Sequence, residues 1–264
     1  MRTRFSRQSF LGPNSAAILN ECTIAVVGLG GGGSHVVQQL AYTGVGHFLL
    51  YDGDKVETSN LNRLIGASLE DAHLRTPKVA VAERCIRSVS PEAMVRAHQG
   101  HWQTAAESIR EADVIVSCLD SYAARQDLEV TARRYLMPLV DIGMDVHLVD
   151  EKPHVVGQII LSLPPGPCLK CLGFLNEENL EREAAQYGAA GGRPQVVWTN
   201  GVLASVGVGI VVDLLTGWNG VNPKGEYLHF DGNTNGLWRS PRLEYAPLLC
   251  PHFAEGSVGD PVFE

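Results

Sequence analysis

Residues 23–34 read Thr-Ile-Ala-Val-Val-Gly-Leu-Gly-Gly-Gly-Gly-Ser, and this stretch decides the fold class. Thr23–Val27 is a short, largely β-branched run, stopped by Gly28 and by the glycines at 30–33. Beyond Ser34 the apolar residues Val36, Val37, Leu40 and Ala41 recur at helical spacing, and residues 48–51 (FLLY) form a second apolar run. Strand, glycine turn, helix and strand together open a dinucleotide-type α/β fold. Glycines let a backbone approach a phosphate closely, and the helix N-terminus offers unpaired N–H groups and a positive dipole end. Gly28, Gly30 and Gly31 are therefore candidate nucleotide-binding positions. Asp52, just after the second run, stands where an acid would hold ribose hydroxyls. By itself the pattern implies a dinucleotide or ATP.

Working outward, helical patterns over 78–88, 104–111 and 123–135 alternate with apolar runs at 94–98, 114–118 and 139–142. Strands separated by helices of about ten residues imply parallel pairing and a sheet covered on both faces. The expected fold is α/β: a Rossmann-like, mostly parallel sheet with a C-terminal antiparallel extension. The extension is announced by the strand-like alternation of 155–163 and by two short pieces, EYLHFDG and LWRSPRLEY. Residues 1–22 read as an N-terminal helical arm outside the core, and 23–264 as a single domain. Residues 176–195 are polar and glycine-rich, the composition of a mobile loop.

The net charge of −8 argues against a nucleic-acid partner, because phosphate-backbone affinity needs an excess of Lys and Arg. The N-terminus lacks the apolar run of a signal peptide. The most apolar stretch, 196–217, contains Asn200 and Asp213 and has no flanking basic cluster, so it reads as a buried helix and no membrane is expected. Six scattered cysteines with a single C-x-x-C indicate metal binding in a cytoplasmic protein.

Downstream of Asp52 lie Asp54, then Ser59-Asn60-Leu61-Asn62-Arg63, then Pro77-Lys78. Hydride transfer to NAD has no use for this cluster of Asn, Arg and Lys. Transfer of an adenylyl group does, because a carboxylate nucleophile and ATP are both anionic and fixed cations must offset their repulsion. Asp120 follows a buried run at the C-terminal end of a parallel strand, the edge where open α/β sheets bind ligands. A carboxylate there would hold Mg²⁺ beside phosphates or cap the next helix.

The set Arg4-Phe5-Ser6-Arg7-Gln8, GLGGGGS, Asp52-x-Asp54, Ser59 to Arg63, Pro77-Lys78 and Cys118-Leu119-Asp120 resembles the ThiF/MoeB/HesA adenylyltransferases, bacterial relatives of the ubiquitin-activating enzymes. The likeness runs from Arg4 to about His252. It implies that Asp52 holds the ribose and that Gly31, Asn60, Arg63 and Lys78 lie against the phosphates of ATP. Asp120 would bind Mg²⁺, and Arg7 would enter the neighbouring subunit's site in a homodimer. The implied reaction joins AMP to the C-terminal glycine carboxylate of a ubiquitin-like or sulfur-carrier protein, with 176–195 as the crossover segment over its tail. A peptide or a carbamoylated tRNA base is an alternative acceptor, and a non-catalytic dimeric scaffold an alternative role.

Two departures stand out. The family often has two C-x-x-C pairs around a structural zinc. Here Cys168 and Cys171 form the first pair, but the second reads Cys250-Pro251-His252-Phe253. His252 would complete a Cys₃His set for Zn²⁺. The segment 176–200 contains no cysteine, so adenylation is expected without a thioester on this chain. The stretch Val197-Trp198-Thr199-Asn200-Gly201-Val202 also differs from the cysteine-containing one expected of sulfur-transfer members. It tilts the expectation slightly toward a conjugation pathway.

Overall fold

A computed structural model describes residues 4–186, 194–221 and 224–253. Five parallel strands, β1 (Thr23–Val27), β2 (His47–Tyr51), β3 (Met94–His98), β4 (Val114–Ser117) and β5 (Leu139–Val149), continue into antiparallel β6 (Lys152–Ser162), β7 (Glu226–Asp231) and β8 (Gly236–Arg239). The described strands form one sheet in the order β3-β2-β1-β4-β5-β6-β7-β8. Before the sheet come a 3₁₀ turn (Ser6–Leu11) and α1 (Ser15–Glu21). The later helices are α2 (Gly31–Thr43), α3 (Leu69–Leu74), α4 (Lys78–Val89), α5 (Ala106–Ile109), α6 (Tyr122–Arg134), α7 (Glu177–Gln186), α8 (Val197–Thr216) and α9 (Arg242–Tyr245).

The period of two along each strand sorts its residues between two cores. Ile24 and Val26 of β1 face the core under α2, α4 and α8, whereas Ala25 and Val27 face the core under α6 and the segment around Leu169. Because the central strands are buried on both faces, they carry no polar alternation. The α8 helix is long and apolar enough to cross a membrane. Its Leu203, Ala204, Val208, Val211 and Val212 are instead packed into the first core, beside α2 and against β5 and β6.

The fold class agrees with the expectation, and several local details differ. Leu11 and Leu19 of the N-terminal arm are buried in the first core, so the arm does not lie wholly outside it. The helix expected over 104–111 is split into a 3₁₀ turn, Trp102–Ala105, and the single turn α5, because Ala105 leaves helical angles at φ −135° and ψ 32°. β5 runs well past 142 and pairs with β6 from Leu139↔Ser162 to Val149↔Lys152. The hairpin turns at Asp150-Glu151, both at positive φ (49° and 62°), as a two-residue turn matched to strand twist requires. Residues 177–186, expected within a loop, form α7. They are rich in Glu and Ala with acids in the first turn, and Asn176 Oδ1 accepts from Asn179 N at 2.8 Å. Residues 187–193 of that expected loop lie outside the described residues.

Candidate active site

A cleft of about 490 Å³ opens at the C-terminal ends of β1, β2 and β4. Its floor is the glycine turn. Gly28 has φ +87°, and a Cβ there would stand 2.7 Å from Cys118 O, so the chain can leave β1 past the end of β4 only with glycine. Gly30 is the N-cap of α2, with no side chain capping it, and the first-turn N–H groups at Gly31, Gly32 and Gly33 have no partner within the helix. The Asn200 side chain occupies the space a Gly31 side chain would need, its Nδ2 2.5 Å from that Cβ position. Asp52 pins the turn: Oδ2 accepts from Leu29 N at 2.6 Å and Oδ1 from Asp54 N at 2.8 Å. Burial raises the Asp52 pKa, with Lys78 and the two N–H donors opposing.

The cleft brings together Gly28, Gly30, Gly31, Asp52, Asp54, Arg63, Lys78 and Asp120. The ammonium of Lys78 lies 2.7 Å from Asp54 Oδ2, with the lysine side chain 11% exposed and the aspartate 74%. Arg63 is held at the rim, its Nη1 donating to Ser59 O (2.8 Å) and Asn62 Oδ1 (2.9 Å). Asp120 is exposed at the end of the β4 segment. The N-cap of α6 is Ser121, whose Oγ accepts from Ala124 N at 3.2 Å.

Two expected residues lie elsewhere. Asn60 is not among the cleft-lining residues: its Oδ1 accepts from Glu57 N at 3.0 Å and closes a 3₁₀ turn, Thr58–Asn60. Arg7 is exposed on the turn Ser6–Leu11, against the opposite end of α2, where Gln8 Nε2 donates to Thr43 O at 3.1 Å. A helix of this length spans about 20 Å, and an arginine reaches only about 7 Å. Arg7 therefore does not enter the cleft of its own chain.

Sequence reasoning missed Arg125, which lines the cleft, and Asp141 and Gln158, which back it from inside the fold. Arg125 is buried, donates through Nε to Leu119 O at 2.9 Å, and lies 3.3 Å from Asp141 Oδ2 through Nη1. The Gln158 amide places its oxygen 2.8 Å from Arg125 Nη1 and its nitrogen 3.1 Å from Gly143 O. Burial raises the pKa of Asp141, which is fully enclosed, with Arg125 opposing. Burial and the nearby Asp141 push the thiol of Cys118, which also lines the cleft, up to about 12. A signal for Arg125 was present. Arg125, Glu129 and Arg133 recur at i, i+4 and i+8 beside the apolar Leu128 and Ala132, so they share the buried face of α6.

A second cluster forms where Cys168 and Cys171 meet Cys250 and His252. Their donor atoms all lie within 4.8 Å of one another. His252 Nδ1 stands 3.4, 3.3 and 3.8 Å from the sulfurs of Cys168, Cys171 and Cys250, and Cys171 Sγ is 3.6 Å from each of the other two sulfurs. Such separations suit a tetrahedral cation with bonds of 2.0–2.3 Å, so the Cys₃His group is compatible with zinc. Phe253 packs its ring over Arg133, with the guanidinium 5.6 Å from the ring centroid.

A profile described as the ThiF family matches residues 5–252. The sulfur carrier protein ThiS adenylyltransferase of Escherichia coli K12 is 31% identical over 98% of this chain and 97% of its own length. The SAMP-activating enzyme E1 of Haloferax volcanii is 32% identical over 64% of this chain; the match spans 61% of that relative, less than two thirds of it. Among solved structures, E. coli MccB superposes with a TM-score of 0.72 at 20% identity, covering 96% of this chain and 74% of MccB, a likeness of fold.

Proposed function

Because the chain belongs to the ThiF family and is an adenylyltransferase of the ubiquitin-activating type, we propose that it adenylates the C-terminal glycine carboxylate of a ubiquitin-like or sulfur-carrier protein with ATP. One observation carries this proposal. The cleft gathers Asp52, Arg63, Lys78 and Asp120 from separated segments around a glycine turn, in a chain that matches a sulfur-carrier adenylyltransferase along nearly its whole length.

In the proposed reaction a carboxylate oxygen attacks the α-phosphorus, the bond to the β-phosphate oxygen breaks, and acyl-adenylate and pyrophosphate result. The free N–H groups of the α2 first turn receive phosphate oxygens. Asp52 keeps lone pairs for the ribose hydroxyls beyond its two backbone donors. Lys78, oriented by Asp54, and Arg63 offset the negative charge of nucleotide and carboxylate. Mg²⁺ held by Asp120 would add a further positive charge beside the phosphates. Asn60 would reach them only through its amide nitrogen, since its oxygen closes the turn after Glu57. The raised thiols of Cys22 and Cys118, both pushed to about 12, support adenylation without a thioester on this chain.

The protein is proposed to act as a homodimer, with Arg7 serving the partner's cleft from the arm formed by residues 1–22. The remaining residues, 23–264, form the adenylation domain. The tail of the substrate would pass beneath the segment around 176–195. Zn²⁺ in the Cys₃His group would tie Cys250 and His252 to the loop after β6. The place of action is the cytoplasm.

ATP–pyrophosphate exchange by the purified protein tests the proposal. Exchange should require a glycine-tailed ubiquitin-like protein and vanish in Asp120→Ala. Exchange that proceeds only with short peptides would replace the protein substrate by a peptide. No exchange with either would sink the proposal.

A further inference from the structure

The segment carrying Arg7 is fastened with unusual specificity. Arg4 donates through Nη1 to Val89 O (2.6 Å) and Ser90 Oγ (2.9 Å), and through Nη2 to Ala41 O (2.7 Å). Gln8 adds a bond to Thr43 O, and Phe5 sits where a side chain on Gly44 would stand, 2.8 Å from that Cβ position. Ala41 and Thr43 belong to the last turn of α2, and Val89 is the last residue of α4. These are the far ends of the two helices whose first turns line the cleft, at Gly31 and Lys78. The guanidinium thus satisfies carbonyls at the negative ends of both helices, where a cation is favoured.

We propose that Arg4 is a positioning residue for Arg7 in trans: it locks the arm to the α2 and α4 ends so that Arg7 is held ready for the partner's cleft. This rests on the proposal that Arg7 serves the neighbouring subunit. The helices make the two roles complementary. Their N-terminal turns shape the cleft of their own chain, while their C-terminal turns anchor the side chain offered to the other chain. An arm without Arg4 would still carry Arg7 but would have to be ordered each time it engaged phosphate, which weakens binding.

Mixed dimers built from two differently tagged copies test this. One copy carries Arg63→Glu and Lys78→Glu, which reverses the cations of its own cleft; the other carries either Arg7→Ala or Arg4→Ala with its cleft intact. Mg·ATP is titrated calorimetrically. As homodimers, Arg7→Ala should bind about 10- to 100-fold more weakly and Arg4→Ala about 3- to 10-fold more weakly. In the mixed dimers the intact cleft faces an intact arm, so both should regain wild-type affinity, with one site per dimer. Recovery with Arg7→Ala but not with Arg4→Ala would mean that Arg4 serves its own cleft, which overturns the proposal and leaves the trans role of Arg7 standing. Recovery with neither overturns both. An Arg4→Ala homodimer that binds like wild type also overturns it. If Arg4→Ala fails to fold, Arg4→Met, which fills the space of the side-chain stem and has no donor for the helix carbonyls, repeats the test.

Discussion

The glycine cleft and the cysteine knuckle lie at opposite ends of α6, and they use polar atoms in opposite ways. At the knuckle the chain satisfies itself. Glu129 accepts from Leu169 N (3.0 Å) and Ser162 Oγ (2.7 Å), while Arg133 donates to Gly166 O, Pro167 O and Ser162 Oγ (2.7, 2.8 and 2.6 Å). Both charged side chains are 2% exposed. At the cleft, charge is left for something else: Lys78 pairs with the largely exposed carboxylate of Asp54, and the first-turn N–H groups of α2 have no side chain capping them. Polar groups enclosed and engaged mainly with one another hold a loop in place, whereas groups gathered at a rim and only partly engaged can exchange partners with a ligand.

The largest effect is expected at the knuckle end. Glu129→Ala should cost about 3–5 kcal/mol of unfolding free energy in a urea titration, because it leaves Arg133 buried with its counter-charge gone. A loss below about 1 kcal/mol would mean that the network is dispensable. Next comes Lys78→Ala, which should lower pyrophosphate exchange by about 10²- to 10³-fold while leaving the urea midpoint close to wild type. If stability falls with activity, the division between a structural end and a chemical end of α6 does not hold.

The smallest effect concerns how the cleft loop is anchored. Asp71 accepts two bonds from Arg84, which also donates to Gly66 O close to Arg63, and Arg84 holds the Asp71 carboxyl well below its ordinary pKa of 3.8. A depressed folded-state pKa stabilises the fold above the unfolded value, and that stability is lost as pH falls through the folded one. Wild type should therefore exceed Asp71→Asn in stability at pH 7, with the difference shrinking as pH drops below about 4. A difference that stays constant down to pH 2 would assign it to packing instead.

Much of the cleft was legible in the sequence because its parts are local or sit at strand ends. Gly28, Gly30 and Gly31 follow a β-branched run, Asp52 ends the next, and Asp120 follows the fourth, so the topology of a parallel sheet gathers them at one edge. The turn made by Asn60 is not legible in the sequence, because an Asn serves a turn as readily as a ligand. α7 reads as loop in the sequence because its charged, glycine-flanked composition outweighs its helix formers. The buried pair Arg125–Asp141 was invisible to composition, since charge normally marks a surface; only the shared helical face of 125, 129 and 133 marked it.

By itself the sequence determined the α/β class, the glycine turn, the cation set of the cleft and the four metal-ligand candidates, because each depends on local periodicity or on residue chemistry. The tertiary structure decided which of these meet. It brought His252 to Cys168 across the chain, seated Phe253 on Arg133, and buried the charged stripe of α6. It also set Arg7 about one helix length, roughly 20 Å, from its own cleft. Distances between segments far apart in sequence follow from helix length and sheet order, which no local pattern contains.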